Sequence, residues 1–360
     1  MKNIKNTLFT NKEIQIGPES GYDNYIMAIE SSCDETACAL VKNGREVIAN
    51  VVASQIKTHQ QFGGVIPEIA AREHLESINL VIEETFRQAK ENAGIVPDDI
   101  TAFAGTVGPG LVGCLLVGLN AAKTLALVYD KPFIGVNHLN AHLCGNYIDT
   151  ELKPPFMALL VSGGHTQIID VKSYSDQTIL GETIDDAVGE AYDKVARLIG
   201  LPYPGGPRLD KLAQLGNPKA YKLPEGKVDG YNFSFSGLKT AVLRLVKNLK
   251  SEISDAQNDL PENIINDICA SFQETVSSTL AKKLKKAVEE KGYDQVVIAG
   301  GVAANSEIRK KIFDFANDGY KVFAPPMKYC TDNAAMVASC AYFNTNTFDD
   351  VDVEVFSRVK

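Results

Sequence analysis

Residues 25–52 read YIMAIESSCDETACALVKNGREVIANVV, and residues 156–183 read FMALLVSGGHTQIIDVKSYSDQTILGET. The two stretches follow one design. Each opens with an apolar strand, breaks at a tight turn of small and polar residues, continues as a second strand and adds a third. Helical periodicity follows in both halves, as REHLESINLVIEETFRQAKENA after the first and NIINDICASFQETVSSTLAKKLKKAVEEKG after the second. A further strand runs straight into glycines and a helix at QVVIAGGVAANSEIRKKIFDFA, and a last helix begins near Asp332 and runs through AAMVASCAYFN. Strands alternating with helices, together with an internal repeat, predict a duplicated α/β architecture of two lobes with a cleft between them. The expected N-terminal lobe comprises residues 26–135 and 325–360, and the expected C-terminal lobe residues 136–324. Turns at the strand ends would face the cleft, where open α/β sheets bind ligands.

A chain of 360 residues, 45% hydrophobic and 22% charged, is long enough for two domains and a large core. The net charge of -9 argues against a general nucleic-acid coat and leaves room for a local basic face. Seven cysteines without CxxC spacing read as reduced thiols of a cytoplasmic protein, mostly small core residues. No apolar run has the length of a membrane span. The nearest approach, LVGCLLVGLNAAKTLALVY, carries Gly113, Gly118, Asn120 and Lys123 and reads as a buried helix. Residues 1–25 are polar, lack the apolar core of a secretory signal and read as a poorly ordered extension. Residues 216–231 read as an irregular excursion, and SEISDAQNDLPEN as a loop between two helices.

The strongest chemical signal is a histidine pair, His138 and His142, in GVNHLNAHLCGN. Four residues apart on a helix, the two imidazoles share one face and can reach one metal ion. Asp332, in KYCTDNAAM, is a candidate third ligand. Two histidines and one carboxylate leave coordination positions open, which a catalytic metal requires. A zinc protease of the HExxH type is a poor match, because Leu139 stands where the glutamate base belongs.

Glycine turns supply the second signal. Ser162, Gly163 and Gly164 lie between two strands, where backbone N–H groups can cradle a phosphate or oxyanion; an ordinary hairpin turn is the alternative. Gly300 and Gly301 open space for a nucleoside ahead of a helix N-terminus, and Asn305 either contacts that ligand or caps the helix. Gly108, Pro109 and Gly110 also precede a helix. Carboxylates cluster at Asp34 and Glu35, at Asp185, Asp186, Glu190 and Asp193, and at Asp210, with Asp193 and Asp210 flanking the YPGGP turn. Two basic stretches, GLKTAVLRLVKNLK and AKKLKKAVEEK, read equally well as a phosphate-binding face or as solvated helix faces.

The ordered series IESSCDET, SQIKTHQQFGGVIPEIAAREH, GPGLVG, NHLNAH, LLVSGGHTQ, GEAYDK, YPGGP, FSFSGLKT, AGGVAAN and CTDNAAM closely resembles the tRNA N6-adenosine threonylcarbamoyltransferase family of the bacterial TsaD type, over about residues 26–345. The resemblance implies the actin-like ATPase (ASKHA) fold. It implies transfer of a threonylcarbamoyl group from threonylcarbamoyl-adenylate to adenosine 37 in the anticodon loop of tRNAs reading ANN codons. It implies one divalent metal on His138, His142 and Asp332, iron by family usage, with zinc or magnesium as alternatives. It also implies donor or adenine-nucleotide contacts at Leu160, Val161, Ser162, Gly163, Gly164, Asp193, Gly206, Asp210 and Asn305, and a catalytic acidic pair at Asp34 and Glu35. The partners it implies are a paralogous TsaB-like protein, a TsaE-like ATPase and an adenylate-forming TsaC-like enzyme, with no membrane. The archaeal and eukaryotic branch has a tyrosine ligand where this chain has Leu160, so the metal here would have one fewer protein ligand. A small-molecule kinase of the same fold and a non-catalytic scaffold paralogue are the competing readings; neither needs the histidine pair.

Overall fold

The computed structural model describes residues 14–252, 260–344, 348–350 and 352–358. The chain divides into two compact units, one made of residues up to Lys153 together with those from Pro325 onward, the other Pro154–Ala324.

The first unit is built on β1 (Tyr25–Glu30), β2 (Glu35–Lys42), β3 (Glu46–Ser54), α1 (Ile56–Gln60), α2 (Pro67–Ala93), β4 (Ala102–Gly108), α3 (Val112–Val128), β5 (Phe133–Asn137) and α4 (His138–Cys144). Its sheet has the order β3-β2-β1-β4-β5. β1 pairs antiparallel with β2, and β2 with β3, whereas β4 joins β1 and β5 joins β4 in parallel. The second unit contains β6 (Phe156–Val161), β7 (Thr166–Val171), β8 (Gln177–Glu182), α5 (Val188–Leu198), α6 (Gly205–Ala213), α7 (Ser236–Glu252), α8 (Glu262–Lys291), β9 (Gln295–Ala299), α9 (Ser306–Phe313) and β10 (Lys321–Phe323). Its sheet runs β10-β9-β6-β7-β8. Strand for strand this is the same order, with the same two antiparallel and two parallel pairings. The middle hairpin even carries a register shift in both copies, at Leu40/Val41 and at Ile168/Ile169. The repeat expected from the two quoted stretches is therefore present in the hydrogen-bond ladders.

Local sequence explains the long elements. Pro67 opens α2 and Gly94 follows its end; Pro261 precedes α8 and Gly292 follows it. The central strands β1, β4 and β6 are buried nearly end to end and read as continuous apolar runs. The last helix, α10 (Ala334–Asn344), is buried from Ala334 through Phe343 and packs on β1, β2 and α4. α3 departs from the expected buried helix: Cys114, Leu115, Leu119, Ala122 and Ala126 face the core, but Val112, Leu116, Leu127 and Val128 are exposed.

Two boundaries differ from the sequence reading. The units divide at Lys153/Pro154 instead of near residue 135, because β5 pairs with β4 and α4 packs on α10, which keeps both in the first unit. Within the segment read as a poorly ordered extension, residues 1–13 lie outside the described residues, while Gly17 N–H donates to Asn24 Oδ1 (3.1 Å) and Asn24 itself is fully buried. The centre of the SEISDAQNDLPEN loop, residues 253–259, lies outside the described residues. Residues 216–231 are irregular, as expected. All seven cysteines are free, and six of them are buried. Among the described residues no helix is long and apolar enough to cross a membrane.

Candidate functional site

In the first unit the chemistry gathers at the carboxyl ends of three parallel strands. β5 ends at Asn137, whose Oδ1 accepts hydrogen bonds from Leu139 N (2.9 Å) and Asn140 N (3.2 Å), capping α4 at its first turn. The cap starts the helix at His138 and brings His142 round one turn later. The two rings lie 4.6 Å apart, edge to face. Asp332, two residues ahead of α10, completes the group: its Oδ1 is 3.2 Å from His142 Nε2 and 3.7 Å from His138 Nε2. One ligand atom from each of the three residues lies within 4.8 Å of the others. Nitrogen and oxygen donors at that spacing, with the histidine side chains only 12% and 2% exposed, fit a divalent cation.

The electrostatics show how strongly the three groups act on each other. Burial alone would raise the Asp332 carboxyl, but His138 and His142 outweigh it and hold it at about 2. Burial would likewise lower His138; Asp332 and Glu30 outweigh it and raise the ring to about 9. This is a site with a strong demand for positive charge, which a proton or a cation can meet.

Glu30, the last residue of β1, was not singled out by the sequence reading. It is fully buried, and its Oε2 lies 3.2 Å from His138 Nδ1. The signal was present as a carboxylate ending an otherwise apolar strand. The turn that follows carries Asp34 and Glu35. The contacts that hold it include Leu111 N–H donating to Ser32 O (2.8 Å), Gly118 N–H donating to Ser31 Oγ (3.1 Å) and a ring nitrogen of His74 lying 3.0 Å from Cys33 O. A side chain at Gly110 would meet Ser32 O at 2.6 Å, so the glycine there serves a close backbone approach. Burial first, then Asp332 and Asp34, push the Glu35 carboxyl up to about 9. The same surroundings raise the Cys33 thiol far above its usual range, so it is no reactive thiolate.

In the second unit the turn after β6 is closed by Ser162 N–H donating to His165 O (2.8 Å) and His165 N–H donating to Ser162 Oγ (3.0 Å). Leu160 and Val161 are fully buried in β6 and set the turn's position. Gly163 and Gly164 are exposed, and an added Cβ at either would meet nothing within 4 Å. The fold therefore does not require glycine there, whereas a ligand lying against the backbone would. Gly301 is similarly open. Gly300 differs from the sequence reading: at φ +89° and with Val161 O against the place of its Cβ, it is a structural glycine.

The remaining expected contacts fall into two sets, a cap on α6 and a network around Gln273. Asp193 Oδ1 accepts from Gly205 N (2.8 Å) and Gly206 N (3.1 Å) and so caps α6, while burial raises its carboxyl despite those bonds. Asp210 Oδ1 accepts from Ser306 Oγ (2.6 Å) and from Gln273 Nε2 (2.9 Å). Asn305 Oδ1 accepts from Ile308 N (3.0 Å), and its Nδ2 donates to Gln273 Oε1 (2.9 Å). Asn305 is thus a helix cap, and Gln273, another residue the sequence reading passed over, joins it to Asp210. Asp185 serves the fold, accepting from Ser234 and Ser236 hydroxyls at the start of α7. The basic stretches diverge. On α8, Lys282, Lys285 and Lys286 meet Glu225, Asp318 and Glu290, and Lys283 lies against backbone carbonyls. On α7, Lys239 meets Asp186, while Arg244, Lys247 and Lys250 have no ion-pair partner among the described residues.

Residues 46–339 match the family model described as TsaD, tRNA N6-adenosine threonylcarbamoyltransferase. The chain is 50% identical over 345 residues to the protein of that name from Gloeothece citriformis (strain PCC 7424), covering 93% of this chain and 96% of the relative. It is 51% identical over 324 residues to its namesake from Bacillus subtilis (strain 168), covering 88% and 89%. Among solved structures it is similar to full-length HypF in the phosphate- and nucleotide-bound form (TM-score 0.59, 15% identity, 94% of this chain and 47% of that one). It is also similar to T. kodakarensis HypF (TM-score 0.60, 14% identity, 93% and 51%). The chain spans about half the length of each HypF, and at such identity the likeness concerns the fold, a duplicated actin-like α/β architecture. The match across residues 46–339 and the half-identical relatives of nearly equal length place this chain in the tRNA N6-adenosine threonylcarbamoyltransferase family, TsaD.

Proposed function

We propose that this protein transfers the threonylcarbamoyl group of threonylcarbamoyl-adenylate to N6 of adenosine 37 in tRNAs reading ANN codons. The observation that carries the reading is 50% identity across 96% of a threonylcarbamoyltransferase's length. The metal-suited group in the first unit and the open glycine turn in the second support it.

The reaction sets clear physical demands. N6 of adenosine is a weak nucleophile, and the donor's carbonyl is activated as a mixed anhydride with phosphate. A new C–N bond forms at that carbonyl, the C–O bond to phosphate breaks, AMP leaves with the electron pair, and N6 loses a proton. His138, His142 and Asp332 would hold a divalent cation, iron by family usage, that supplies Lewis-acid charge for the donor's phosphate. Ser162, Gly163 and Gly164 would offer backbone N–H groups to the donor, with Asp193, Gly206 and Asp210 as further contacts and Asn305 fixing the start of α9 beside them. Asp34 and Glu35, on the turn after β1, would act as the acidic pair beside the reacting groups. An anticodon loop presents its base without a duplex to melt.

Partners belong to the same proposal: a TsaB-like paralogue, a TsaE-like ATPase and a TsaC-like enzyme that makes the adenylate, all in the cytoplasm. The test is reconstitution with those partners, tRNA, threonine, bicarbonate and ATP, followed by mass spectrometry of the tRNA nucleosides. Adenosine carrying a threonylcarbamoyl group is the expected product. Unmodified tRNA alongside phosphorylation of a small molecule would put the kinase reading in its place.

A further inference from the structure

Glu30 is a buried carboxylate in a place where burial is costly. Its side chain is 0% exposed, and among the described residues no lysine or arginine lies within ion-pair distance of it. An uncompensated buried charge of this kind is strongly destabilising, so a fold keeps one only where other groups answer it. Three do. Ser32 N–H donates to Oε1 at 2.5 Å, the Thr106 hydroxyl donates to Oε2 at 2.6 Å, and His138 Nδ1 lies 3.2 Å from Oε2. Ser32 Oγ also lies 3.2 Å from His138 Nδ1. β1, β4 and β5, parallel neighbours in the sheet, each contribute at or near their carboxyl end: Glu30, Thr106 and the start of α4.

The arrangement has a direction. The Nδ1 edge of His138 meets Glu30, and its Nε2 edge meets Asp332, the residue shared with His142 Nε2. If Nδ1–H donates to Glu30, the lone pair is on Nε2, facing the ligand group. The geometry points to Glu30 as a positioning residue. It fixes the tautomer and plane of His138 so that Nε2 is presented to a divalent cation shared with His142 and Asp332. Outer carboxylates of this kind orient ligating histidines and raise their basicity. Thr106 and Ser32 N–H in turn fix Glu30, so the strand ends of the sheet set the angle of a metal ligand. The inference rests on the metal reading proposed above and adds a residue to it.

Co2+ serves as the probe, because its visible spectrum reports ligand geometry independently of catalysis. The full-length wild type, Glu30→Gln and Thr106→Val are each titrated with Co2+ against a chromophoric chelator, and the thermal unfolding of each metal-free protein is recorded. Glu30→Gln should bind Co2+ about ten- to a hundred-fold more weakly, with a changed visible band, while remaining folded. Thr106→Val keeps the carboxylate and removes one of its anchors, so it should lose affinity by a smaller factor; it decides the matter if Glu30→Gln does not fold. Unchanged affinity and spectrum in the folded variants would overturn the inference while leaving the metal reading intact. A wild type that binds no Co2+ would overturn both.

Discussion

Two glycines that look alike in sequence sit in opposite surroundings. Gly163 sits in an exposed turn where a Cβ meets nothing within 4 Å; Gly300 sits at φ +89° against β6. Gly163→Val should therefore leave the urea midpoint of unfolding close to wild type and weaken adenine-nucleotide binding by tenfold or more, about 1.4 kcal/mol. Gly300→Ala should do the reverse, lowering stability by at least about 1–3 kcal/mol from backbone strain alone. Calorimetry and denaturant titration on the two variants read both effects. A stable Gly300→Ala protein, or a Gly163→Val protein with unaltered nucleotide affinity, would contradict this division. Sequence made the histidine pair legible, since i,i+4 spacing is a local property. Glu30 and Gln273 escaped it because their meaning comes from neighbours 108 residues away at His138 and 63 and 32 residues away at Asp210 and Asn305.

Among elements, α4 is short and consequential: seven residues carry both imidazoles, and Asn137 caps them. Removing the cap in Asn137→Ala should cost about 1 kcal/mol of stability. If that energy also holds His138 in its binding geometry, metal affinity should fall by up to about fivefold, the factor 1 kcal/mol represents. A chelator competition assay alongside thermal unfolding checks both numbers; a variant as stable as wild type would show that α4 is started by something else. The strands and long helices were readable because period-2 and period-3.6 patterns, Pro67 and Gly94 mark them without tertiary help. α3 was misjudged as buried because apolar composition cannot tell a helix wrapped by the core from one with an open apolar face.

For the molecule as a whole, the duplication was legible from two hairpin patterns, and the ladders repeat it pair for pair. The unit boundary was not, because α4 belongs with the first unit through contacts with α10, which lies about 190 residues later in the chain. That late return places Asp332 beside His138 and His142, so the metal-suited group draws on both chain segments of the first unit. We propose that this chain itself transfers the threonylcarbamoyl group and that the transfer needs the His138, His142 and Asp332 group. The most direct measurement supplies preformed threonylcarbamoyl-adenylate, labelled in the threonine, with tRNA and the paralogous partner, to wild type and to Asp332→Ala proteins of matched folded content. Label is expected in the tRNA nucleoside with wild type and none above background with Asp332→Ala. Equal labelling by the two proteins would contradict the proposal.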